Sequence, residues 1–111
     1  MAWVKPFAVF KPNVGVAYAW EPVIVRGGRR RTREQFTVRD WVSIGITLKK
    51  GLVGAKPPEF CAWLLEVLNV QPDDMLDDLY PGTGSMSAAL KSKRRQETLA
   101  FQCLDHGRQA L

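Results

Sequence analysis

The residues best suited to chemistry lie in one stretch, 75–90, which reads Met-Leu-Asp-Asp-Leu-Tyr-Pro-Gly-Thr-Gly-Ser-Met-Ser-Ala-Ala-Leu. It opens as a short apolar run and closes as an amphipathic pattern, with a Gly-x-Gly hinge between the two. That order predicts a buried strand, a tight turn and a helix. Gly82 and Gly84 have no Cβ, so the chain can take positive φ there and a ligand can approach the backbone closely. The helix that follows starts with unpaired N–H groups and a partial positive charge, which suits an anionic or polar ligand group. Asp78 falls near the end of the predicted strand, where an open α/β sheet places its ligands. A glycine-rich turn with nothing bound would account for the same residues.

The elements that must position this stretch belong to a chain of 111 residues, which allows one domain or part of one. Hydrophobic residues make up 46% and charged residues 24%, the balance of a globular chain rather than a disordered one. No apolar run approaches the roughly 20 residues of a membrane span, and no signal-peptide cleavage site stands out, so the expected location is the cytoplasm with no membrane partner. Cys61 and Cys103 are the two cysteines and His106 the one histidine, a set too small for a four-ligand zinc site without carboxylates from elsewhere. Both cysteines sit within apolar patterns and read as buried free thiols. The net charge of +5 favours polyanionic partners.

From the start, residues 3–10 read as a strand broken near Pro6, and 16–25 as a second strand offering Val16, Tyr18, Trp20 and Ile24 to one face. Pro22 puts that strand at an edge or ends its pairing. Residues 26–33, Arg-Gly-Gly-Arg-Arg-Arg-Thr-Arg, hold five arginines in eight positions. Arg26, Arg29, Arg30, Arg31 and Arg33 can grip phosphate in a bidentate manner or stack on bases, which makes DNA the expected partner. A solvated loop that aids solubility is the alternative. Residues 37–46 fit a strand or a short helix, and 49–55 a loop.

Residues 57–69 give the clearest helix. Phe60, Trp63, Leu64, Val67 and Leu68 fall at i, i+3, i+4, i+7 and i+8, one stripe that a helix normally buries. Pro57 and Pro58 suit its first turn, where a missing N–H costs little, and Asn69 is a reasonable stop. After the hinge, Met86, Ala89 and Leu90 start a second helix, with Ser85 or Ser87 as cap candidates. It is expected to end among Lys91, Lys93, Arg94 and Arg95. Residues 98–104 read as a further buried strand closed by Asp105. Strand, helix and strand from 75 to 104 imply a right-handed parallel crossover.

Taken in order, Trp-Val-Lys-Pro from Trp3, Trp-Glu-Pro-Val-Ile-Val from Trp20, Gly-Ala-Lys-Pro-Pro-Glu-Phe from Gly54 and Asp-Leu-Tyr-Pro-Gly-Thr-Gly from Asp78 resemble a known family. They are similar to the C-terminal half of permuted amino-group DNA methyltransferases, in particular phage-type adenine-specific members. The resemblance runs from about Trp3 to Leu90. It implies an α/β fold, a partial Rossmann-like S-adenosylmethionine-dependent methyltransferase sheet with flanking helices. Residues 1–50 would supply strands and the basic loop, and 51–111 the cofactor-binding β-α unit. By the resemblance, Asp78, Tyr80, Gly82, Thr83 and Gly84 would surround the methionine part of S-adenosylmethionine, with Tyr80 where the family normally has Phe. Lys56, Pro57 and Phe60 would flank it. Asp105, 21 positions past Gly84, would meet a ribose hydroxyl.

The family's catalytic Asp/Asn/Ser-Pro-Pro-aromatic element does not occur; Lys56-Pro57-Pro58-Glu59 lacks both its ends. In the permuted order that element would precede Trp3. The expectation is therefore the cofactor-binding portion of a DNA adenine-N6 methyltransferase, inactive alone, with the catalytic motif on a second subunit. A non-enzymatic nucleic-acid- or protein-binding module on a degenerate scaffold is the alternative, and a remnant with little specific function a third. A part-domain should also leave a sheet edge and aromatic side chains uncovered. Trp3, Phe7, Phe10, Trp20 and Trp41 then favour a homodimer or a complex with that second subunit.

Overall fold

A computed structural model describes residues 1–8, 11–46 and 55–109, the last five as helix backbone only. Three short strands and two helices follow in the order β1 (Ala2–Val4), β2 (Trp20–Pro22), β3 (Trp41–Ser43), α1 (Pro58–Val67) and α2 (Ser85–Gln109). The sheet order is β2-β1-β3, with β1 antiparallel to β2 and parallel to β3. The strand at 20–22 ends at Pro22 on an outer position, where a missing donor costs no ladder bond.

Register separates the faces of this sheet. Trp3 stands opposite Glu21 and Val42, while Ala2 and Val4 stand opposite Pro22, Trp20, Trp41 and Ser43. On the first face Trp3 is buried and its ring lies 4.7 Å from that of Phe60 on α1. Its indole N–H donates to the Ile44 carbonyl at 2.8 Å, so this large aromatic is buried without leaving a polar atom unpaired. On the second face Trp20 and Trp41 are exposed.

α1 forms as the sequence predicts. Pro57 occupies the N-cap position with extended backbone, and Pro58 begins the helix. Asn69 takes positive φ and turns the chain away, a conformation Asn tolerates better than most residues. The buried line of α1 is Phe60, Cys61 and Leu65, rotated from the predicted stripe, and Trp63, Leu64 and Leu68 are only partly covered. One side of α1 meets Trp3 in a first cluster. The other meets Val70 and Leu90 in a second, and Met86 and Ala89 of α2 touch both.

The expected partial Rossmann-like sheet is not what forms. A mixed sheet of three strands, three residues each, stands beside two helices that pack on each other. Residues 75–80 are not a strand. Leu76 and Asp78 turn inward and Met75, Asp77 and Leu79 outward, so the alternation of a strand is present without a neighbour to pair with. Residues 98–104 are not a strand either: α2 runs straight through them, with Leu99, Phe101 and Leu104 exposed. No Gly or Pro interrupts 85–106, and its Lys, Arg, Gln, Glu, Ala and Leu are good helix formers. The parallel crossover is therefore absent.

Val16, Tyr18 and Ile24 are exposed rather than offered to a core, and Cys103 is exposed while Cys61 is buried. The predicted loop at 49–55, apart from Ala55, and the end of the first predicted strand at Val9 and Phe10 lie outside the described residues. Among the described residues, no helix is long and apolar enough to cross a membrane.

Candidate functional site

Lys56 precedes α1, and Pro57 beside it, with extended backbone, is fully buried. The Pro57 carbonyl accepts the first helical bond, from the Cys61 N–H at 3.2 Å. The Lys56 ammonium lies 4.9 Å from the Trp3 ring centre, 5.8 Å from that of Phe60 and 3.6 Å from the Glu21 carboxylate. Glu21 also receives a short hydrogen bond from Lys5, and these ammonium groups hold its carboxyl below the ordinary range, Lys5 contributing most. The aromatic pair beneath and the carboxylate beside it thus fix a cation at the mouth of α1.

The hinge approaches from the other side. The Asp78 carboxylate accepts from the Tyr80 N–H at 3.2 Å, a local turn of the kind Asp favours. The Gly84 N–H donates to the Pro81 carbonyl at 2.7 Å. Gly84 is itself the cap residue of α2, its carbonyl accepting from the Ala88 N–H at 3.0 Å. Neither proposed serine holds that position; Ser85 instead shares a 2.7 Å hydroxyl contact with Thr83. Gly82 and Gly84 have φ of +51° and +74°, and a Cβ on Gly84 would meet nothing within 4 Å. Backbone conformation, not crowding, demands glycine there.

Lys56, Phe60, Asp78, Tyr80, Gly82 and Thr83 border one cavity of about 280 Å³. Of the other expected cofactor residues, Pro57 is buried and does not border it, and Gly84 borders a neighbouring groove of about 650 Å³ between α1 and α2. Asp105 is not brought to either. It lies 21 residues beyond Gly84 along a continuous helix, and at about 1.5 Å per residue that is roughly 30 Å away. Cys61, Leu64, Pro81, Ser85 and Met86 also line the cavity. Leu64 lies four positions after Phe60 and three after Cys61, relations that the helical period makes readable. Burial pushes the Cys61 thiol up, and the Asp78 carboxylate adds to that while Lys56 opposes it. Among the described residues, no three His, Cys, Asp or Glu side chains gather as metal ligands would.

The arginine run divides in two. Arg29 forms a bidentate pair with Asp74, at 2.7 and 2.8 Å, and also donates to the Asn69 carbonyl at 3.1 Å. The guanidinium, with help from the Gln71 N–H, lowers the Asp74 carboxyl from 3.8 to about 2. Arg31 donates to the Phe36 carbonyl at 3.0 Å and to both the carbonyl and the carboxylate of Glu66. Lys93, first, and then Arg31 lower the Glu66 carboxyl. Arg26, Arg30 and Arg33 have no side-chain hydrogen bond or ion pair among the described residues.

Asn69, which sequence reasoning used only as a helix stop, organises this end of α1. Its amide donates to the Arg30 carbonyl and to Gln35, each at 3.2 Å, and its side-chain oxygen accepts from Gln35 and Gln71. No protein-family model, curated protein or solved structure matches this chain.

Proposed function

We propose that the chain is the S-adenosylmethionine-binding portion of a DNA adenine-N6 methyltransferase. The observation that carries the reading is that six residues implied by the family resemblance, two from the start of α1 and four from the hinge beyond it, border one cavity. The sheet contributes no support. The cavity is bordered by a cationic residue, Lys56, an acidic one, Asp78, and apolar Phe60, Leu64 and Met86. A zwitterionic amino-acid end needs both signs of charge, the carboxylate for its ammonium and the ammonium for its carboxylate. The exposed aromatic ring of Tyr80 suits a sulfonium, which carries positive charge. At about 280 Å³ the cavity holds the methionine end, and the adenosine would lie across the exposed Tyr80.

The sequence has no Asp/Asn/Ser-Pro-Pro-aromatic element, so this chain alone is not expected to methylate DNA. Calorimetry with S-adenosylmethionine and S-adenosylhomocysteine tests the reading. Asp78→Asn and Lys56→Gln each remove a charge-assisted contact and should weaken binding by about tenfold or more. Absence of both a binding heat and a thermal shift at saturating cofactor would overturn it.

A further inference from the structure

The loop after the arginine run forms a second concave site, remote in sequence from the cofactor cavity. A cleft of about 400 Å³ is bordered by Arg31, Thr32, Arg33, Gln35, Thr37 and Val67, among others, and none of the residues bordering it is acidic. Its shape is fixed from within. The Thr32 N–H donates to the Gln35 side chain at 3.0 Å, and the Gln35 N–H returns to the Thr32 carbonyl at 3.3 Å. Gln35 is in turn held by Asn69, and Arg31 by Glu66 and the Phe36 carbonyl. Arg31 shares the Glu66 carboxylate with Lys93, and Arg33 has no ion-pair partner among the described residues. Met1, which also borders the cleft, brings the N-terminal ammonium, bonded to the Val23 carbonyl at 3.1 Å. Thr32 and Thr37 add exposed hydroxyls.

Phe36 stands between two residues that border the cleft and is 93% exposed. The Arg31 bond to its carbonyl fixes the backbone from which the ring projects. A rigidly mounted, bare aromatic beside a cationic cleft combines the two features that bind single-stranded nucleic acid: a seat for phosphate and a face for a base. We propose that this cleft binds a single-stranded polynucleotide, with a backbone phosphate against Arg33, Thr32 and Thr37 and the adjoining base stacked on Phe36. A lipid surface would call for an apolar helix face with several anchors, and this loop offers one ring. The proposal does not depend on the cofactor cavity.

Fluorescence anisotropy of the full chain with a short labelled oligothymidylate tests it, with circular dichroism to check that each variant is folded. Phe36→Ala should weaken binding by roughly tenfold, within the range for one lost base stack, and Phe36→Tyr should restore it. Arg33→Ala should weaken binding and flatten its logarithmic salt dependence by about 0.7, the value for one single-strand phosphate contact. Competition separates the sources of the anion: unlabelled oligothymidylate should displace the probe at far lower phosphate concentration than inorganic phosphate, polyglutamate or anionic lipid vesicles. Phe36→Ala binding as tightly as the parent chain would overturn the proposal. So would equal competition by any of the three other anions, or no binding of the oligonucleotide at all.

Discussion

Both ends of α1 are met by a charged loop containing glycine, yet among the described residues only the loop at the C-terminal end is tied down. There Arg29, Arg31, Gln35 and Gln71 bond to Asn69, Glu66 and Asp74, and the Arg29 N–H reaches the Leu68 carbonyl at 3.2 Å. Gly28 lies against the Leu68 backbone with room for a Cβ, 3.5 Å from the Leu68 oxygen, so its φ of +100° rather than crowding calls for glycine. Among the described residues, the hinge near the N-terminal half of α1 has only local bonds, through Asp78, Pro81 and Thr83, and Tyr80 stands 90% exposed. Side chains already satisfied inside the protein build a scaffold, whereas those left open are available to a ligand. A dense run of arginine therefore does not mark a binding surface residue by residue.

Replacing Asn69 should have the largest effect on this contrast. Asn69→Ala removes four side-chain bonds from a buried position and places alanine at a φ of +54°, for a loss of about 3 kcal/mol. Asn69→Gly keeps the turn and should lose about 2 kcal/mol, the share due to the bonds alone. Denaturant unfolding of the two variants separates conformation from hydrogen bonding. If both were as stable as the parent, the C-terminal loop would not be the tied one.

The glycines provide a matched pair. Gly28 has φ of +100°, outside the left-handed well, while Gly84 at +74° lies just beyond its edge. Alanine at 28 should cost about 2 kcal/mol and at 84 about 1 kcal/mol by thermal unfolding. The reverse order would mean that the hinge is the more constrained of the two.

The pH dependence of stability should trace to the tied loop. The Asp74 carboxyl is lowered in the folded state, from 3.8 to about 2. Its contribution is therefore complete above the unfolded value and is lost as pH falls through the folded one. Glu21 and Glu66, also lowered, add to the acid side of the profile. Asp74→Asn should flatten, without abolishing, the fall in unfolding midpoint between about pH 4 and pH 2. Identical profiles would remove the Arg29–Asp74 pair from the account. The smallest change is expected at Thr83→Ala in the open hinge, within about 0.5 kcal/mol, because only an exposed hydroxyl contact is lost.

Local sequence determined what local physics controls. Prolines at 57 and 58, an apolar stripe and Asn69 were enough to set α1, because each acts within a turn of itself. Gly82 and Gly84 announced their positive φ for the same reason. Tertiary structure decided the rest. Whether 75–80 becomes a strand depends on a neighbouring strand to take its hydrogen bonds, and alternation of Leu76 and Asp78 with outward residues cannot supply one. At 98–104, seven residues with apolar positions fit either period, and continuity with α2 settled the matter. The division of the arginines rested on Asn69, Glu66 and Asp74, more than 30 positions away. Such partners are invisible to any local pattern, because a side chain is withdrawn from binding only when folding brings its counter-charge within hydrogen-bond reach.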